Sequence, residues 1–157
     1  MNLDELREEL IADEGLKHEV YRDHIGFKTC SIGHLCIAGV DPEYDQPVGT
    51  PVSVERTNEL FEKDISRTIA DCKIVYANFD DLPETVQKVL ANMCFQLGLG
   101  RFMLFKKTHA LVREAAKTMD NRDWKWVAEE MLDSVWAKEQ TPDRAMRLSQ
   151  RIASIAV

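Results

Sequence analysis

The sequence has no apolar run near the ~20 residues that a membrane-spanning helix requires, and its uninterrupted apolar stretches are only a few residues long. No insertion into a membrane is expected. The opening MNLDELREEL is too charged to read as a secretory signal. Seven glycines and five prolines in 157 residues are too few for a collagenous, low-complexity or disordered chain. Basic charge is also short: 20 Lys and Arg against 27 Asp and Glu leave a net charge of −7, which argues against general nucleic-acid binding. The imbalance lies in residues 1–80, with 8 basic and 17 acidic groups. Cysteine occurs four times, at 30, 36, 72 and 94, and reads as reduced thiols in a cytosolic protein. Cys30, His34 and Cys36 have no fourth ligand at a zinc spacing, so neither metal nor other cofactor is expected.

What remains is a length of about one domain, 45% apolar and 30% charged, long enough to bury roughly 70% of its unfolded surface without a staple. Asn2 as N-cap, Glu5 three residues on, and Leu3, Leu6, Leu10 and Ile11 at helical spacing predict a first helix over 2–13, stopped by Gly15. Residues 18–35 lose that period and gain β-branched and aromatic residues around turn material at His24, Ile25 and Gly26, which predicts a β-hairpin or small antiparallel sheet. Residues 36–52, with three of the five prolines, read as loop with room for one short strand. From Ser53 the pattern is helical: an amphipathic run to about Tyr76, a helix opened by Asp81 and Glu84 as a capping box and ended at Gly98, then helices over about 106–118 and 121–135 and one opened by Thr141 and Pro142. The fold class is α+β: a single domain over 1–157 with a β-lobe at 16–52, a connecting helix at 53–76, and 1–15 with 77–157 as a helical lobe onto which the first helix packs.

Glu14 stands out among the carboxylates. It falls four residues after Leu10 and three after Ile11, so a helix persisting that far brings its side chain beside the apolar stripe. Desolvation there favours the protonated form, as a general acid needs, although last-turn glutamates are ordinary surface residues too. Asp23, at the edge of the hairpin turn, is by itself a turn residue. Two carboxylates so placed are also the apparatus of glycoside hydrolysis, one protonating the leaving oxygen and the other handling water or the anomeric carbon.

These residues carry a resemblance. Asp13-Glu14-Gly15-Leu16, then Tyr21-Arg22-Asp23, then GFKTCSIGHL over 26–35 resemble the DEGL…YxD…GxxTxGxGHL pattern of phage lysozymes, the muramidases of glycoside hydrolase family 24. The likeness continues through LFEKD at 60–64, NMCFQLG at 92–98, RDWKWVAEEMLDSVW at 122–136 and QTPDRA at 140–145. It implies a lysozyme-like fold and an endolysin that cleaves the β-1,4 bond between N-acetylmuramic acid and N-acetylglucosamine with inversion. Glu14 is then the general acid, Asp23 the second carboxylate, and Thr29 the hydroxyl that helps hold the attacking water. Leu35, Phe95, Gln96 and Thr108 line the glycan cleft. Arg144 pairs with the acid, and His34 with Asp64 forms a structural ion pair. The partner is bacterial peptidoglycan. On this resemblance the protein is expected to be a monomer held in the host cytoplasm until a holin gives it access to the periplasmic wall. A non-catalytic wall-binding or lysis-regulating relative is the competing class, and retention of Glu14, Asp23 and Thr29 together argues against it. Two departures stand out: Ser31 replaces a glycine of the pattern, and Glu130 replaces a cleft asparagine. The acidic net charge predicts a lytic rate that rises or stays flat as salt increases from low values.

Overall fold

The computed structural model describes residues 1–118 and 120–155. Asn2 opens α1 (Leu3–Glu14), its Oδ1 accepting the N–H groups of Asp4 and Glu5 at 3.1 and 3.2 Å. Leu6 and Leu10 are fully buried. Gly15 ends the helix at φ 82°, its N–H reaching the Ile11 carbonyl at 2.8 Å. The helix therefore lasts one residue longer than the sequence reading, and Glu14 occupies its last turn.

Three short antiparallel strands follow in the order β1 (Lys17–Arg22), β2 (Lys28–Ser31) and β3 (His34–Leu35). Tyr21 lies opposite Thr29, and Thr29 opposite Leu35. Residues directly opposite one another share a face, so these three side chains line one side of the sheet. Val20 and Cys30, one position off along their strands, pack with Cys36, Val52 and Leu60 into a small apolar cluster. The stretch 36–52 forms a 3-10 turn over Pro42–Asp45 and a single bridge between Glu19 and Pro51 in place of a further strand. Ser53 then caps α2 (Val54–Val75), its Oγ accepting the Arg56 N–H at 3.0 Å.

The contacts divide the chain into two compact units: Asn2–Arg67, and the residues from Thr68 on with Met1. The boundary falls inside α2, and α1 groups with residues 2–67, whereas the sequence reading assigned 1–15 to the helical lobe. Beyond the end of α2, the described residues of the second unit form α3 (Glu84–Phe102), α4 (Lys106–Thr118), α5 (Asn121–Leu132) and α6 (Pro142–Ala153) with short connections. Its apolar core includes Met93, Phe102, Trp124, Met131, Leu148 and Ile152.

Three helix ends differ from expectation. The Asp81/Glu84 capping box does not form: Asp81 belongs to a 3-10 turn and Pro83 occupies the N-cap, while the Gln87 amide donates to the Asp80 and Leu82 carbonyls at 3.1 and 2.7 Å. At Gly98, φ 74° and ψ 163° break α3 where the sequence placed its end. Helix α5 stops at Leu132, three residues early, and a π-helical turn over Trp136–Gln140 leads to α6, closed by the Thr141 N–H on the Trp136 carbonyl at 2.8 Å. Thr141 caps α6 by position only, since its hydroxyl accepts from the Gln96 amide at 3.4 Å.

Candidate active site

Within residues 2–67, α1 delivers Glu14 against the tight β2–β3 connection. A Cβ built on Gly33 would lie 2.9 Å from the Glu14 Cβ and 3.0 Å from its Oε2, closer than real Cβ contacts allow. Gly33 also has φ 58°, a conformation that strains any L side chain. The bare α-carbon of Gly33 thus forms a floor beneath the half-buried Glu14 side chain.

Asp23 is fixed by the turn that follows β1. Its Oδ1 accepts the N–H groups of Ile25 and Phe27, each at 2.9 Å, while its own N–H donates to the Phe27 carbonyl at 2.9 Å. That same carbonyl accepts the Thr29 hydroxyl at 3.0 Å. Asp23 and Thr29 are therefore tied to one peptide group. Among the described residues no hydrogen bond reaches Asp23 Oδ2. One carboxylate oxygen is committed to orientation, and the other is left as an acceptor without a partner among the described residues.

Tyr21 connects the two acids. Burial, then the charges of Glu14 and Asp23, push its phenol above the ordinary range. Both carboxylates thus act on one hydroxyl of the sheet face that carries Thr29 and Leu35. Leu35 is half exposed on that face.

Behind the sheet lies a network of buried charge. His34 Nδ1 meets Asp64 Oδ2 at 2.6 Å and Nε2 meets Asp41 Oδ2 at 2.9 Å. Burial alone lowers the His34 pKa, but the two carboxylates more than offset it and the net direction is up. Asp41 also accepts the Ile37 N–H at 2.8 Å and faces Arg56, whose guanidinium forks onto Glu43 at 2.6 and 3.1 Å. Hydrogen bonding to Arg56 holds Glu43 below its usual range. With both ring nitrogens occupied, His34 has no lone pair to offer a metal beside Cys30 and Cys36, whose Sγ atoms lie 3.8 Å apart. Ser31, at φ 59°, is the one non-glycine residue with positive φ among those described, and its buried hydroxyl bonds Thr57 Oγ1 at 3.1 Å.

The remaining expected site residues lie in the helical unit. Arg144 is buried, donating from Nε to Asn92 Oδ1 at 2.8 Å. Phe95 is half-buried, and the Gln96 amide is engaged at both ends, donating to Thr141 and accepting the Trp136 indole N–H at 2.9 Å. Thr108 is buried at the wall of a cavity of about 560 Å³, which Glu130, Trp136 and the cations Arg101, Lys106 and Lys107 also line. The sequence reading placed the acids but missed the Gly33 floor, the second carboxylate on His34 and the Arg56–Glu43 fork. The only trace of these was a glycine within the motif and an unremarkable Asp-Pro-Glu stretch.

Comparison with known proteins is consistent with this geometry. The chain is 29% identical to probable T4-type lysozyme 1 of Dictyostelium discoideum, covering 91% of this chain and 90% of the relative, and 30% identical to probable T4-type lysozyme 2 of the same organism at the same coverage. It is also 29% identical to the peptidoglycan hydrolase gp36 of Pseudomonas phage phiKMV, over 94% of this chain and 15% of that much longer protein. The phage lysozyme family matches residues 12–151, a span that begins just before Glu14 and ends just beyond Arg144. The chain belongs to the phage lysozyme family and is a peptidoglycan-hydrolysing glycoside hydrolase.

Proposed function

We propose that this enzyme cleaves the β-1,4 bond between N-acetylmuramic acid and N-acetylglucosamine with inversion at the anomeric carbon. Glu14 donates its proton to the leaving oxygen. Asp23 Oδ2 accepts a proton from the attacking water, and the Thr29 hydroxyl oxygen accepts a hydrogen bond from that same water. The observation that carries this reading is Phe27: its N–H holds one oxygen of Asp23, its carbonyl takes both the Asp23 N–H and the Thr29 hydroxyl, and Asp23 Oδ2 has no hydrogen bond among the described residues. An inverting pair needs carboxyls ~6.5 to 9.5 Å apart, so that a water fits between one of them and the sugar.

Leu35, Phe95, Gln96 and Thr108 are assigned to the glycan, and Arg144, His34 and Asp64 to support of the acids. The chain acts as one monomeric domain. It waits in the host cytoplasm until a holin opens the route to the periplasm, and there it lyses the cell. That a relative is named a peptidoglycan hydrolase supports the substrate.

Purified protein should clear outer-membrane-permeabilised Gram-negative cells, and Glu14→Gln should abolish clearing with the thermal melt nearly unchanged. NMR of fresh product should show the α-anomer first. A β-anomer would replace inversion with retention, and clearing by Glu14→Gln would remove Glu14 from its role. Wall binding without turnover in the unmutated protein would favour a non-catalytic relative.

A further inference from the structure

One polar group on the site face has no part in the roles above. Tyr21 lies directly across from Thr29, two residues before Asp23, and its side chain is half-buried. Its ring is pinned by the Lys17 ammonium, 4.3 Å from the ring centroid. Yet its hydroxyl makes no hydrogen bond among the described residues, although charges from both Glu14 and Asp23 reach it. A phenol within reach of the charge of two acids, with no acceptor among the described residues, is a donor set out for something that enters the site.

The chemistry narrows what that is. Burial and the two carboxylates hold the phenol protonated through the range in which a carboxylate pair works, so it donates a hydrogen bond without transferring its proton. Being neutral, it leaves the charges of Glu14 and Asp23 uncompensated, which a lysine in its place would not. A sugar offers acceptors of the matching kind: ring and hydroxyl oxygens and the N-acetyl carbonyl. The Lys17 contact occupies one face of the ring, which favours contact through the hydroxyl edge over stacking of the sugar on that face.

We propose that Tyr21 is a substrate-contacting residue, whose hydroxyl donates a hydrogen bond to an oxygen of the sugar that Glu14 and Asp23 act upon. This rests on the glycosidase reading above. It assigns Tyr21 a task in the reacting complex and none in the stability of the free enzyme.

That separation supplies the test. Tyr21→Phe keeps the ring and the Lys17 contact and removes one oxygen that has no partner among the described residues. Release of soluble muropeptides from purified Gram-negative sacculi should fall about tenfold, the scale of one hydrogen bond, with the melting temperature unchanged. In a Glu14→Gln background, the same substitution should weaken binding of a purified muropeptide oligosaccharide in titration calorimetry. A Tyr21→Phe rate within about twofold of the unmutated enzyme, beside an inactive Glu14→Gln, overturns the assignment of Tyr21 alone. So does a lowered melting temperature that accounts for the lost activity. An unmutated enzyme that releases nothing, or a fully active Glu14→Gln, overturns the glycosidase reading and the assignment together.

Discussion

Residues 2–67 bury His34, Asp41, Glu43 and Asp64, each 5% exposed or less, beside a small apolar cluster of Val20, Cys30, Cys36, Val52 and Leu60. From Thr68 on the apolar core is larger, and the buried polar side chains described there are mostly neutral, with Arg144 bonded to Asn92 and His109 to Tyr76. Apolar packing is non-directional and stabilises in proportion to buried area. Charged hydrogen bonds contribute less net stability but add geometric specificity. The unit that carries Glu14, Asp23 and Thr29 is the one fastened by charged, directional bonds, as the proposed roles of these residues require.

The largest effect expected from this contrast comes from removing the cation at the centre of the first unit. His34→Asn leaves Asp41 and Asp64 buried without it, and should cost about 3–5 kcal/mol in urea unfolding. In the helical unit, Met131→Ala should cost a similar ~2–5 kcal/mol by opening a cavity. The two losses separate by pH. The His34 contribution is fully present below the unfolded histidine pKa of about 6.5 and is lost as pH rises through the elevated folded value. The penalty of His34→Asn should therefore shrink toward alkaline pH, while that of Met131→Ala stays constant. A pH-independent penalty at His34 would dissolve the distinction between the units.

Gly33 tests the same unit through activity. Gly33→Ala sets a methyl against Glu14 and adds the strain of positive φ. A displacement of the carboxylate by about 1 Å should lower the clearing rate about a hundredfold. Leu148→Ala, deep in the helical core, should lower stability while leaving the rate per folded molecule near normal. If Gly33→Ala keeps full activity, Glu14 has another rotamer that serves as well.

A smaller effect should appear on the acid side and in the other unit. Burial holds the His109 pKa down, against a hydrogen bond to the Phe102 carbonyl that raises it. A base depressed in this way contributes stability above the unfolded pKa of about 6.5, and loses it as pH falls toward the lowered folded value. Asp41 and Glu43 add their own loss only lower, as pH falls through their depressed folded values. All three tryptophans lie beyond residue 68, so tryptophan fluorescence follows the helical unit. The urea midpoint it reports should decline as pH falls below about 6.5, and His109→Phe should flatten that decline.

The legible parts of this protein were those coded locally. Helical spacing of Leu6 and Leu10, the Asn2 cap, the stop at Gly98 and the order of the acids are properties of neighbouring residues. Longer-range pairings were not legible from pattern. Nothing near Asp41 announces that it will meet His34, and Arg56 reaches Glu43 from another element. Pro83 stands at the N-cap in place of Asp81, which the preceding 3-10 turn takes up. The π-helical turn after Ser134 escaped because its extra residue breaks the period by which helices are read. The resemblance supplied roles for Glu14, Asp23 and Thr29, but neither the Gly33 floor nor the Phe27 tie could be drawn from the motif letters alone.

Ser31 gives the finest version of the comparison, because strain and a polar tether meet in one residue. Left-handed φ costs an L residue about 1–2 kcal/mol, and glycine at the same place pays nothing for it. Against that, the Ser31 hydroxyl bonds Thr57, a contribution of about 0.5–1.5 kcal/mol. Ser31→Ala keeps the strain and loses the bond, and Ser31→Gly loses both. Thr57 retains His18 as a partner at 3.2 Å in either variant, so no orphaned hydroxyl confuses the measurement. Ser31→Ala should thus be less stable than Ser31→Gly by about 1 kcal/mol, with the glycine variant close to the unmutated protein. If the two variants melt together, the left-handed turn between β2 and β3 is unstrained, and the hydroxyl is there for the Thr57 bond alone.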